Sequence, residues 1–172
     1  AVGRPPSRHI TDPLRFADMR AGTYSIHERV ADMNLDGVYA SLCFPSYLAG
    51  FGGVRLQSIS RDLGFSLALV RAWNDWMAEE WAGTYPERII PLQLAWLHDP
   101  KLAAKEIEMN AARGFRAVTF PESPRAAGFP SLHSGYWDEF LAACAATRTV
   151  INVHTGSAGS LPKTDDDAPS DL

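Results

Sequence analysis

The chain has 172 residues, 46% of them hydrophobic and 21% charged, with a formal net charge of −4 at pH 7. This is enough polypeptide for one domain with a sizeable core, and the composition is that of an ordinary globular protein. Basic residues are dispersed rather than striped, and no stretch approaches the roughly 18 consecutive apolar residues of a membrane span, so neither nucleic acid nor a membrane is the expected partner. Cys43 and Cys144 lie far apart in apolar segments and fit no zinc spacing, which reads as two buried free thiols in a reducing compartment, the cytoplasm.

Residues 1–22 are rich in Pro and Arg, lack periodicity and read as an N-terminal arm or loop; the run AVGRPPSRHITDP has no apolar core of a secretory signal, and the first residue is not Met. Thr23–Met33 predicts a short helix capped at Thr23 or Ser25, with Ile26, Val30 and Met33 on one face. Asp36–Phe44 reads as a buried strand closed by Pro45, followed by a glycine-rich insertion over 46–60 without a clean pattern. From Arg61 to Ala82, Leu63, Leu67, Val70, Trp73, Met77 and Trp81 recur at helical spacing, and Gly83 and Pro86 stop the helix. That stripe reads as core packing.

Ile89–Trp96 predicts a second strand. Asp99 caps the next helix with Pro100 at its first position, and Gly114 stops it. Phe115–Phe120 predicts a third strand, and Ser134 is positioned to cap a helix with Trp137, Phe140, Leu141 and Cys144 on one face. The last strand is Thr149–His154, after which the chain breaks into the small, polar run Thr155–Ser160. Residues 161–172 form an acidic polar tail.

Strands alternating with helices define an α/β fold with a parallel sheet and right-handed crossovers. No Gly-rich turn opens a helix after the first strand, which removes the dinucleotide-binding fingerprint. About four strands are present, half of the eight that a (β/α)8 barrel closes with about 250 residues. The expectation is a partial TIM barrel over 23–160, cut from a longer protein.

Functional candidates lie where strands meet their C-terminal loops, the edge on which parallel α/β folds do their chemistry. His154 ends an apolar strand there and is either a metal ligand, a general base, or a strand-ending histidine bonded to a nearby carbonyl. His133 and Glu122 are weaker candidates for contact with a substrate, against simple exposure or helix packing. Phe120, Trp96, Phe44 and Tyr47 are either walls of an apolar pocket or core, and His98 reads as a turn residue.

The runs RVADMNLDGVYASLCFPS, RAWNDWMAEEWAGTYPERIIPLQLAWLHDP and GFRAVTFPESP…GFPSLHSGYWDEFLAACAATRTVINVHTGSAGS resemble the amidohydrolase-related metal-dependent enzymes, in the branch that includes aminocarboxymuconate semialdehyde decarboxylase. The resemblance covers about Phe16 to Ser160. It implies a (β/α)8 barrel of which the strands here are roughly the second to fifth, with one divalent metal, often zinc, at the C-terminal mouth. It implies that His154 is the metal-binding histidine of the fifth strand, while the HxH pair of the first strand, the catalytic histidine of the sixth and the aspartate of the eighth have no counterpart in this sequence. The expected function is therefore a fragment of a hydrolase or non-oxidative decarboxylase of a small carboxylic acid, inactive by itself and dimeric in its complete form. The alternative is a non-catalytic truncated barrel acting through association with another chain.

Overall fold

The computed structural model describes residues 15–46, 49–157 and 164–169. The chain divides into two units, Ala1–Ala40 and Ser41–Leu172. In the first, two 3-10 turns at Phe16–Asp18 and Ala21–Thr23 precede helix α1, Ile26–Leu35. Both turns begin within the stretch expected as an arm or loop, of which residues 15–22 are described. Ser25 caps α1 by accepting from Glu28 N–H, and Arg20 holds Asp32 by two hydrogen bonds of 2.7 Å.

The second unit carries the parallel βα repeats. Strand β1 (Ser41–Leu42) pairs in parallel with β2 (Ile89–Ile90), and between them lie α2 (Val54–Gln57) and α3 (Leu63–Trp76), the latter continued by a π turn at Met77–Trp81. Strand β3 (Leu92–Leu94), helix α4 (Pro100–Ala112), strand β4 (Ala117–Pro121), helix α5 (Asp138–Thr147) and strand β5 (Val150–His154) follow. They form a second parallel ladder in the order β3-β4-β5. The single strand expected over Ile89–Trp96 is therefore two, belonging to different ladders. Pro91 stands at the break, and proline has no N–H to donate to a ladder.

Helix α3 and its π turn bury Val70, Met77 and Trp81 of the expected stripe and pack Leu67 and Trp73, partly buried, against the core. The buried face also takes in two polar residues, Ser66 and Asn74, while Leu63 is exposed. Two side-chain amides pair with backbone here. Asn74 accepts from Leu94 N–H at 2.8 Å and donates to Leu94 C=O at 3.2 Å, while Gln57 on α2 accepts from Leu97 N–H at 2.8 Å and donates to Ala95 C=O at 2.9 Å. Each amide supplies the donor and acceptor that a neighbouring strand would have offered to β3 and the segment after it. Burial of an amide is favourable only with such complete pairing.

The main core lies on the helix side of the ladder. Val118 and Phe120 point there from β4, opposite to Thr119, because side chains alternate across a strand. Phe120 stacks on Phe140 at 5.2 Å and meets Trp137 edge-on at 5.0 Å. Asp99 caps α4 as expected, accepting from Lys101 and Leu102 N–H. Ser134 does not cap α5; its hydroxyl donates to Ser131 C=O, and the helix starts at Asp138 behind Trp137, whose indole N–H donates to Pro130 C=O. Among the described residues, no helix is long and apolar enough to cross a membrane.

Candidate functional site

His154 is the last residue of β5 and pairs with Pro121 at the end of β4. It sits on the edge where all three strands of this ladder finish. Its Nδ1 lies 2.8 Å from the carbonyl oxygen of Thr155. A carbonyl can only accept, so Nδ1 is the protonated nitrogen, and in the neutral tautomer that this selects, Nε2 holds the lone pair. The ring is half-buried between two aromatic residues, stacked on Phe51 with centroids 3.9 Å apart and meeting Phe44 edge-on at 5.2 Å.

Phe51 comes from the glycine-rich stretch that precedes α2. Its carbonyl accepts from Thr119 Oγ1 at 2.6 Å, which fastens the loop to β4. Gly52 lies so close to the strand ends that an added Cβ would stand 3.1 Å from Ser157 Cβ and 3.2 Å from Pro121 backbone atoms. Gly50 and Gly53 take the left-handed conformation, with φ of +68° and +75°. A bulkier sequence could not bring the Phe51 ring onto His154 along this path.

Glu122 follows β4 directly and closes the other side. Its carboxylate accepts from Gly156 N–H at 2.8 Å and from the Ser157 hydroxyl, and its own N–H donates to Ser157 Oγ at 3.2 Å. Ser157 N–H in turn donates to His154 C=O at 3.1 Å. The turn that carries the imidazole is thus tied to the end of β4 by charge-assisted bonds.

The remaining sequence candidates fall elsewhere. Phe120 is 1% exposed in the helix-side core and Trp96 is 4% exposed, so neither walls an open pocket; both are core residues because their faces point away from the solvent at the strand ends. His133 is exposed on the turn before α5, where its backbone N–H donates to Ser131 Oγ. Tyr47, like the segment from Ala158 to Lys163, lies outside the described residues. Glu122 belongs with His154, but as an anchor for its loop. Phe51, Thr119 and Ser157 escaped sequence reasoning; the one available signal was a lone aromatic flanked by glycines.

The donor set does not by itself amount to a metal site. Among the described residues, no group of three or more His, Cys, Asp or Glu side chains comes together, and a zinc-type centre needs about three protein ligands. The His154 imidazole suits one such position and no more.

A model of the amidohydrolase family matches residues 53–171. The chain belongs to the amidohydrolase family. Comparison with curated proteins gave no match. Among solved structures, an amidohydrolase from Mycobacterium avium subsp. paratuberculosis superposes with a TM-score of 0.69 at 24% identity, covering 92% of this chain and 41% of that one. The 5-carboxyvanillate decarboxylase of Novosphingobium aromaticivorans, solved with manganese and 3-methoxy-4-hydroxy-5-nitrobenzoic acid, superposes with a TM-score of 0.66 at 20% identity, covering 85% of this chain and 39% of that one. The chain therefore spans about two fifths of the length of the structures it resembles, and it shares their fold.

Proposed function

We propose that this polypeptide is the part of an amidohydrolase-type (β/α)8 barrel that contains its second to fifth strands, and that His154 supplies one ligand to a divalent metal at the barrel mouth. The observation that carries the reading is the fixed tautomer of His154 at the C-terminal end of a parallel strand, with Nδ1 on the Thr155 carbonyl and Nε2 left to bind. The other ligands would come from polypeptide outside these 172 residues. The segment alone is therefore expected to be inactive.

The complete enzyme would act on a small carboxylic acid, by hydrolysis or by non-oxidative decarboxylation. Support for decarboxylation of an aromatic acid comes from the manganese and nitrobenzoic acid held by the similar decarboxylase. Zinc and manganese are both candidates for the metal. This chain's own contribution is positional. Glu122 and Ser157 hold the turn after β5, and Phe51 and Phe44 restrict the imidazole plane. Two free cysteines suit the reducing cytoplasm.

The test is the product of the whole reading frame, purified as wild type and as His154→Ala. The expected result is one tightly held divalent metal per barrel, reduced at least tenfold in the variant, with CO2 release from hydroxybenzoates lost in parallel. Unchanged metal content in His154→Ala would sink the proposal. The second reading, a non-catalytic barrel piece that acts by association, is favoured only by the lack of a three-ligand cluster among the described residues. It requires that the whole product bind no stoichiometric metal.

A further inference from the structure

A cavity of about 380 Å³ opens between α2, the turn after β3 and the loop that follows β4. His98, Phe129 and Tyr136 wall it together with Val54 and Ser58, and none of the residues assembled around His154 lines it. The His98 and Phe129 rings meet edge-on at 5.1 Å, and Trp96 backs His98 at 4.9 Å, so the wall is rigid and aromatic.

The polar groups of this wall share one property. The Tyr136 hydroxyl donates to His98 C=O at 3.3 Å, and the Ser58 hydroxyl donates to Arg55 C=O at 3.1 Å. Each has committed its only proton to the backbone and offers the cavity lone pairs alone. His98 is hydrogen-bonded to the Gln57 carbonyl, and burial lowers its pKa below the usual histidine value, so at neutral pH the ring is uncharged. Its Nε2 is buried and has no hydrogen-bond partner among the described residues, which leaves the two hydroxyl oxygens as the reachable acceptors. Among the described residues, no Arg, Lys, Asp or Glu lines the cavity. An anion would meet acceptors and no cation. An organic cation would find no carboxylate among the described lining residues to neutralise it.

We propose that this cavity binds a neutral, planar aromatic molecule that donates a hydrogen bond, a phenol in chemical class, with its hydroxyl on Tyr136 Oη and its ring against Phe129 and Val54. The assignment rests on the cavity and stands or falls independently of the metal reading at His154. It also makes sense beside that reading, since loss of CO2 from a hydroxybenzoate leaves an uncharged phenol.

The 172-residue chain is titrated with phenol, benzoate, benzylammonium and toluene while its amide and aromatic NMR signals are followed. Phenol is expected to bind at least tenfold more tightly than benzoate or benzylammonium, with shifts confined to residues around 54–58, 98, 127–129 and 136. Tyr136→Phe is expected to weaken phenol at least fivefold and leave toluene unchanged. Ala127→Phe, which fills the space, is expected to abolish both. Three results would overturn the proposal: benzoate or benzylammonium binding as well as phenol, Tyr136→Phe having no effect on phenol, or shifts centred on Phe51 and His154 instead. Should Ala127→Phe unfold, the Tyr136→Phe comparison alone decides.

Discussion

The ring of Phe51 lies parallel to the imidazole of His154, with centroids 3.9 Å apart and planes 12° apart. These two residues are 103 positions apart in sequence and meet because Thr119 Oγ1 pins the Phe51 carbonyl to β4. Stacking and the Thr155 carbonyl act on the same ring from different directions. One sets its plane, the other its tautomer.

Phe51→Ala should therefore release the ring while leaving the fold in place. Phe51 is 40% exposed, so the loss is that of a partly buried aromatic pair, about 0.5–1.5 kcal/mol. The diagnostic readout is the His154 ring-proton signals, held upfield by the stacked phenyl in the wild type and moving downfield in the variant. Signals that stay where they were would mean that the stack does not form in solution.

Glu122→Ala removes the acceptor for two donors at once, Gly156 N–H and the Ser157 hydroxyl. The expected cost is about 1–3 kcal/mol, confined to the turn rather than spread over the domain. Amide hydrogen exchange at Gly156 should speed up by about tenfold or more, while exchange at Val118 and Phe120 stays close to wild type. Glu122→Gln, which keeps one carbonyl acceptor, should fall between. Uniform loss of protection across β4 would show that Glu122 supports the whole ladder.

Much of this architecture is legible in the residues themselves. The β-branched run ending at His154, the Asp99-Pro100 helix start and the strand around Val118 are local patterns, and each is decided within its own segment. What escapes the sequence depends on distant partners. The short helix α2 has only Val54–Gln57 to announce it, and its role is visible only when Gln57 is seen bonding Ala95 and Leu97. The burial of Asn74 on α3 has the same origin, because its side chain bonds the backbone of Leu94. Phe120 could not be told from a pocket wall until the face of β4 was known.

Asn74→Ala tests that long-range pairing. It leaves the N–H and C=O of Leu94 without their partners in a buried position, which should destabilise the domain by about 2–3 kcal/mol in a denaturant titration. Asn74→Leu should be no better, although leucine is the stronger helix former, because an apolar side chain cannot satisfy the strand. A leucine variant as stable as wild type would show that water replaces the amide at no cost.

Cys144 provides a test of the core that reads pH directly. It is buried on α5, and burial pushes its thiol pKa up to about 12 from an ordinary 9.0, since the thiolate would lie among apolar groups. The folded state thus resists ionisation that the unfolded chain allows. Stability from this group is intact below about pH 9 and is lost as pH rises toward 12. Cys144→Ala should flatten that part of the alkaline stability curve. Thiol labelling at pH 8 should reach the half-exposed Cys43 first, with Cys144 modified only on the timescale of unfolding. Equal labelling rates for the two thiols in the folded protein would contradict the packing of α5 against β4.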